Sequence, residues 1–90
     1  MVIHRNGFIL YANGVAVRLF GAAGPQDLIG TPISERVHES SLELSTRRME
    51  SVLESGINSP LTEHTFLKMD GSHVAIEATT SVVEWEGEQA

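Results

Sequence analysis

Two short runs of hydrophobic and β-branched residues open the chain, and a turn dipeptide separates them. The runs are Met1–Arg5 and Phe8–Ala12, with Asn6-Gly7 between them. Asn-Gly tolerates the positive φ angles of a type I′ turn. The pattern therefore predicts an antiparallel β-hairpin at the start of the chain.

A second pair of strand-like runs lies near the other end. Thr62–Met69 and His73–Val83 flank Asp70-Gly71, another favourable turn dipeptide. Because side chains alternate between the faces of a strand, the later run places its main hydrophobic residues on one face. These residues are Val74, Ile76 and Ala78.

Between the two hairpins the pattern becomes helical. Asn13 is predicted to cap a short helix over Gly14–Phe20, and Gly21 is predicted to end it. Two single turns follow over residues 24–30 and 31–37, and each begins near a proline. The inward residues of the short helix are predicted to be Val15, Leu19 and Phe20.

A longer helix is predicted over Ser41–Ser55. Ser40 and Glu43 have the spacing of a capping box at its start, and Gly56 follows its end. Helical spacing predicts that one side of this helix packs inward. That stripe comprises Leu42, Thr46, Met49 and Leu53, with Val52 beside it.

The order of these elements predicts an α+β fold. Strands at both ends and helices between them favour an antiparallel β-sheet with short helices and one longer helix packed on one face. The 90 residues are 41% hydrophobic and 20% charged, which is typical of one small globular domain. We therefore expect a single domain over residues 1–90.

Charge and cysteine content exclude several kinds of chemistry. The net charge of −6 repels phosphate backbones and anionic membrane surfaces, so neither nucleic acid nor a membrane is an expected partner. The absence of cysteine excludes disulfides, thiolate metal sites, cysteine nucleophiles and cysteinyl–flavin adducts. With no apolar run of the ~20 residues that a membrane span needs, we expect a cytoplasmic protein.

The order of motifs resembles the PAS sensor domain family. The resemblance covers essentially all 90 residues, although Glu39 stands where the family often has proline. The matching segments are Asn6-Gly7-Phe8-Ile9-Leu10-Tyr11-Ala12-Asn13, Leu19-Phe20-Gly21, Pro25-Gln26-Asp27-Leu28-Ile29-Gly30-Thr31-Pro32, Val52-Leu53-Glu54-Ser55-Gly56 and Lys68-Met69-Asp70-Gly71-Ser72.

This resemblance implies a five-stranded antiparallel sheet that encloses a pocket against the long helix. In the family pattern, a turn and a central fifth strand follow the strand of Val74–Val83. Here residues 84–90 resemble that turn, and no further strand follows. We therefore expect a C-terminally truncated fragment of a larger signalling protein, with an effector domain elsewhere in it. We also expect self-association through the open strand edges.

The function that the resemblance implies is sensing or dimerisation within a histidine kinase of a two-component system, a cyclic-dinucleotide enzyme or a transcription regulator. A small apolar ligand is one expected input, and a purely structural dimerisation spacer without a ligand is the alternative. A small enzyme ranks third. The residues expected to line the pocket are Leu10, Leu42, Met49, Leu53, Phe66 and Ile76.

No metal or cofactor site is predicted. The four histidines lack the i, i+4 spacing of a helical metal site. His64 and His73 flank one turn, where a zinc site with Glu63 or Glu77 is a minor alternative. Some PAS domains hold haem through a histidine of the long helix, where this chain has Ser45. Non-covalent flavin has only scattered polar residues to recognise it, Trp85 and Asn13 among them.

A cluster of polar residues precedes the long helix and carries the enzyme hypothesis. Serine and glutamate satisfy or complement the free N–H groups of a helix N-terminus, so the cluster is predicted to be structural. We therefore expect no catalytic residues. The cluster comprises His38, Glu39, Ser40 and Ser41.

Overall fold

Three antiparallel hairpins and one long helix make up the fold in the computed structural model, which describes residues 1–90. One short α-helix and two 3-10 turns connect the first hairpin to the long helix. The strands are β1 (Val2–Arg5), β2 (Phe8–Ala12), β3 (Thr62–Leu67), β4 (His73–Ala78), β5 (Glu84–Trp85) and β6 (Glu88–Gln89). The helices are α1 (Gly14–Leu19) and α2 (Glu39–Ser55), with 3-10 turns at Pro25–Asp27 and Ile33–Arg36.

The first hairpin forms as predicted. β1 and β2 pair antiparallel, with an irregularity between Ile3 and His4. Asn6 and Gly7 both have positive φ angles, 53° and 81°, which is the geometry of a type I′ turn. This turn matches the twist of the strands, so the dipeptide fixes where the chain reverses.

The main hydrophobic core lies between this hairpin, α1 and the first 3-10 turn. Its members are Ile9, Ala12, Ala16, Phe20, Leu28 and Ile33. Asn13 caps α1 as predicted, since its Oδ1 accepts a hydrogen bond of 3.0 Å from the N–H of Ala16. The prediction that Val15 packs inward is wrong, because the face toward β2 carries Ala16 and Phe20, which are four residues apart.

The long helix α2 starts earlier than predicted and has a different cap. The Nδ1 of His38 accepts the N–H of Ser40 at 3.1 Å, so His38 is the N-cap and the predicted Ser40–Glu43 capping box does not form. At the other end Gly56 has a φ of 73°, the left-handed conformation expected of a glycine that follows a helix.

The buried side of α2 is rotated from the predicted stripe, although Met49 of that stripe packs against the core. Ser41 and Val52 are buried, whereas their neighbours Leu42 and Leu53 are exposed. A hydrogen bond explains this orientation of the helix. The Oγ of Ser41 accepts the N–H of Thr65 at 2.9 Å, which turns the Ser41 face of α2 toward β3. One residue corresponds to about 100° of rotation, so Leu42 faces away and Leu53 lies at the edge of the inner face, 54% exposed.

The second hairpin pairs β3 with β4 around Asp70-Gly71, as predicted, although both strands end earlier than expected. His64 lies opposite Ile76 and Phe66 lies opposite Val74. Directly opposed residues share a face of the sheet. The inner face of this hairpin therefore carries His64, Phe66, Val74 and Ile76.

Residues 84–90 do not form the predicted open turn. They form a third hairpin, in which Glu86 and Gly87 have φ angles of 51° and 82°. Arg5 holds it against the first hairpin: its Nη2 donates to the carbonyl of Trp85 at 2.9 Å and its Nε donates to that of Gln89 at 3.0 Å. The ring centroid of Trp85 lies 5.3 Å from that of Tyr11.

The strands form three separate two-stranded sheets, not one continuous sheet. Antiparallel pairing and a single long helix are thus confirmed, whereas the single sheet is not observed because β1 pairs only with β2 and β4 only with β3. The connecting segment instead contacts each hairpin through an isolated bridge, Pro32 with Phe8 of β2 and Val37 with Phe66 of β3. No helix has both the length and the hydrophobicity needed to cross a membrane.

Candidate functional site

Two adjoining cavities lie between β1, the long helix and the second hairpin. The inner cavity, about 360 Å³, also touches α1, and twelve of its seventeen lining residues are hydrophobic. The outer cavity, about 370 Å³, lies between β1 and residues 79–83, with the last turns of α2 beside it. Both include Val2, His4 and Met49, so they meet along β1.

The predicted pocket residues divide among these cavities. Met49, Phe66 and Ile76 line the inner cavity, and Leu53 lines the outer one. Leu10 and Leu42 line neither. Leu42 lies on the face of α2 that turns outward, and Leu10 follows the fully buried Ile9, so its side chain points to the opposite face of β2.

Several lining residues were not among those predicted for the pocket. Ala16, Phe20 and Val37 approach it from the segment between the hairpins, and His4 and His64 contribute imidazoles. The alternation of β3 already places His64 on the same face as Phe66, so the sequence carries a signal for that residue. The contribution of the connecting segment depends on tertiary packing.

Aromatic rings form one wall of the inner cavity. The rings of Phe20 and Phe66 meet edge to face, with centroids 5.9 Å apart. The ring of His64 lies 6.0 Å from that of Phe66. Such tilted pairs are the favoured geometry of neighbouring aromatic groups, so this wall is well packed.

His4 lies at the junction of the two cavities and is half buried. Burial lowers the pKa of the His4 imidazole from its ordinary value of 6.5, because desolvation disfavours the charged ring. His4 is therefore neutral at pH 7 in the folded protein.

This shift predicts a dependence of stability on pH. The unfolded chain protonates His4 at higher pH than the folded chain does, so the contribution of His4 is complete above pH 6.5. It is lost as the pH falls from 6.5 through the lowered pKa of the folded state. We expect His4→Gln to reduce the loss of unfolding free energy on going from about pH 7.5 to about pH 5, measured by urea denaturation.

The control for this prediction is the exposed His73, which is also a histidine in a strand. His73→Gln should leave the difference between the two pH values as it is in the unmodified protein. An unchanged pH dependence in His4→Gln would contradict the prediction.

The polar cluster before α2 is structural. Besides capping the helix, the Nδ1 of His38 lies 2.7 Å from the Oγ of Ser40. Ser41 is buried and its hydroxyl receives the backbone N–H of Thr65. These bonds hold the start of α2 against β3, and the cap comes from His38 instead of the predicted Ser40.

The remaining residues weighed for metals and cofactors are dispersed. His64 and His73 lie on opposite faces of their hairpin, so they do not form the zinc site given as a minor alternative. His73 lies beside His38, with ring centroids 5.0 Å apart. No three His, Asp or Glu side chains are grouped as metal ligands would be. Ser45 lines the inner cavity, whereas Asn13 and Trp85 line neither cavity.

Together these features define a small mixed α/β domain with antiparallel strands, one long helix and a mainly hydrophobic cavity that is partly open to solvent. The family model described as the PAS fold matches residues 1–90, the whole chain. The protein belongs to the PAS family, whose members are sensory or signalling modules. No curated protein matches the chain significantly.

Proposed function

We propose that this PAS domain is the sensory module of a signal-transduction protein and that it binds a small, largely apolar ligand in the inner cavity. The classes of effector considered are a histidine kinase of a two-component system, a cyclic-dinucleotide enzyme and a transcription regulator. The observation that carries the proposal is the cavity of about 360 Å³ with its mainly hydrophobic lining.

The size of the cavity supports ligand binding. Protein sites for small molecules occupy roughly 300–1,000 Å³ and are lined mainly by hydrophobic and aromatic side chains with a few polar groups. A well-packed interior leaves few voids larger than a water molecule. A cavity of this volume in a 90-residue domain is therefore a place where a ligand adds contacts that the folded chain lacks.

The position of the cavity supports signalling. Its walls come from β1, α1, α2 and the second hairpin, and no backbone ladder joins β1 to that hairpin. A ligand that contacts both sides favours the arrangement in which they enclose it. The resulting shift in the position of α2 or the hairpin is the signal that an effector domain in the same protein would receive.

Native mass spectrometry of the purified protein tests ligand binding. We expect a co-purifying small molecule, or a rise in melting temperature with members of a panel of apolar metabolites. Ala78→Phe, which places a ring in the inner cavity, should abolish both signals. Ala75→Phe, on the exposed face of the same strand, should retain them. A bare polypeptide mass and no thermal shift would contradict ligand binding.

Self-association is a second part of the proposal. β1 and β4 each pair with one neighbour only, so each presents an edge of backbone groups that another strand can bind. We propose a homodimer formed through these edges, which should elute as a dimer in size-exclusion chromatography with light scattering at micromolar concentration. A stable monomer of 9.8 kDa would contradict it, and a dimer without any ligand would favour the structural spacer.

The proposed role is regulatory, not catalytic, and cytoplasmic. The one cluster that resembled catalytic chemistry is occupied in capping α2, through His38 and Ser40, and in the contact of Ser41 with β3. The net charge of −6 supports a partner other than nucleic acid or an anionic membrane.

A further inference from the structure

His64 is the one histidine that the fold buries. Its exposed fraction is 5%, and Ser41 is the other polar residue buried to this degree. The two residues differ in their hydrogen bonding, because Ser41 is occupied by the N–H of Thr65. His64 lies on the inner face of the second hairpin and lines the inner cavity.

The hydrogen bonding of His64 fixes the position of its proton. Its Nδ1 lies 3.1 Å from the carbonyl oxygen of Thr62. A carbonyl oxygen only accepts, so Nδ1 donates and keeps the proton of the neutral ring. The other nitrogen, Nε2, then carries a lone pair and is a hydrogen-bond acceptor.

No side chain or backbone group of the protein satisfies this acceptor. Thr62 provides the only hydrogen bond to the ring. Nε2 also has some exposed surface. The one side-chain polar atom that is both fully buried and without a hydrogen-bond partner is Nε of Arg48, so the unpartnered Nε2 of His64 is not fully buried. His64 is 5% exposed and lines the inner cavity, so this cavity is the space from which a ligand would reach the acceptor.

The cavity favours a neutral ligand. No Asp, Glu, Lys or Arg side chain lines it, and the α-ammonium group of the lining residue Met1 already donates a hydrogen bond of 2.7 Å to Asn13 Oδ1. An ion transferred from water into such a site loses hydration without gaining a counter-ion, which costs more than a neutral ligand loses. Burial also keeps the neighbouring His4 neutral, because it lowers the pKa of that imidazole.

The shape of the lining favours an aromatic ligand. Phe20 and Phe66 already meet edge to face on the cavity wall. A flat ring placed beside them continues the tilted arrangement that aromatic groups prefer. Ser45, Thr79 and Thr80 add hydroxyl groups elsewhere on the wall, which can either donate or accept.

We infer that the inner cavity selects small neutral aromatic molecules with a hydroxyl or ring N–H donor, such as phenols and indoles, and that this donor binds the Nε2 of His64. The inference rests on the proposed function and identifies the chemical class of its ligand. An aromatic molecule without a donor fills the same space but leaves Nε2 without a partner, so it binds more weakly.

Three probes of the same bicyclic shape test this selectivity. 2-Naphthol carries a donor, 2-methoxynaphthalene retains the oxygen but not the donor, and naphthalene has neither. We expect 2-naphthol to bind about tenfold more tightly than either of the others in isothermal titration calorimetry, the difference typical of one hydrogen bond to a buried group. His64→Phe should remove the preference, whereas His73→Phe, in the same hairpin but exposed, should keep it.

A measurement on the unmodified protein covers the case in which His64→Phe does not fold. With ¹⁵N-labelled histidine, the Nε2 resonance of His64 should move on addition of 2-naphthol and not on addition of 2-methoxynaphthalene, while Nδ1 stays protonated. A static Nε2 resonance, or equal affinity for all three probes, would overturn the inference and leave an apolar ligand site in place.

Failure of the probes to bind has different consequences for the ligand class and for the sensory function. If none of the probes binds but another molecule co-purifies, the inference about the ligand class is overturned and the proposed sensory function stands. If none of the probes binds, the native mass is that of the bare polypeptide and the metabolite panel gives no thermal shift, both the ligand class and ligand sensing are overturned.

Discussion

Leu28→Ala is expected to lower the free energy of unfolding by about 3–4 kcal/mol. Leu28 is fully buried and packs in the core that joins the first hairpin to α1. Truncation removes hydrophobic contacts and leaves a cavity that the surrounding backbone fills only in part. Because the free energy of unfolding of a small domain is only about 5–15 kcal/mol, this single substitution removes a large share of it.

The adjacent residue supplies the control. Ile29 is 45% exposed, so Ile29→Ala should cost less than about 1 kcal/mol. Urea denaturation followed by the helical circular dichroism signal measures both variants. Similar losses for Leu28 and Ile29 would show that the core does not lie where the structure places it.

The second large effect is expected on the long helix, where the predicted and observed inner faces differ by one residue. Val52 is 2% exposed and Leu53 is 54% exposed. We expect Val52→Asp to destabilise the domain by about 4 kcal/mol or to unfold it, because a carboxylate at that position is buried without a partner. Leu53→Asp should cost about 1 kcal/mol or less.

Thermal denaturation of the two aspartate variants decides between the two faces. Both substitutions add the same charge, and the loss of helix propensity is larger for Leu53→Asp than for Val52→Asp. A larger destabilisation by Val52→Asp therefore reports burial. A larger loss for Leu53→Asp than for Val52→Asp would restore the face predicted from the sequence and contradict the observed orientation of α2.

The parts of the fold that the sequence predicted well are those governed by local rules. Asn6-Gly7 and Asp70-Gly71 produced the two main hairpins, because few residues tolerate such turns. Asn13 and Gly56 marked the start of α1 and the end of α2 for the same kind of reason. Each of these signals acts within four residues, so tertiary contacts do not override it.

The errors have a common physical origin in contacts between distant parts of the chain. The orientation of α2 depends on the bond of Ser41 with Thr65, which is 24 residues away. Hydrophobic spacing alone favoured Leu42 and Leu53. The third hairpin was missed because its strands have two residues each and depend on Arg5, about 80 residues away, for their position.

The candidate site was predictable in part for the same reason. Periodicity assigns Met49, Phe66 and Ile76 to faces of their helix and strands, and the family resemblance implies a pocket there; all three line the inner cavity. The segment that contributes Phe20 and Val37 reaches the cavity only because the helical connection folds back against β3. Strand alternation identifies the face of His64, whereas its free Nε2 follows from the hydrogen bond to Thr62.

The hydrogen bonds from Arg5 to the third hairpin determine what tryptophan fluorescence reports in this protein. Trp85 is the only tryptophan, and it lies in that hairpin against Tyr11. Segments held by few contacts open with smaller free energies than the whole domain. We expect the fluorescence change to occur at lower urea concentration than the loss of helical dichroism, so the emission of Trp85 serves as an optical probe of fraying at the C-terminal hairpin while α2 is still folded.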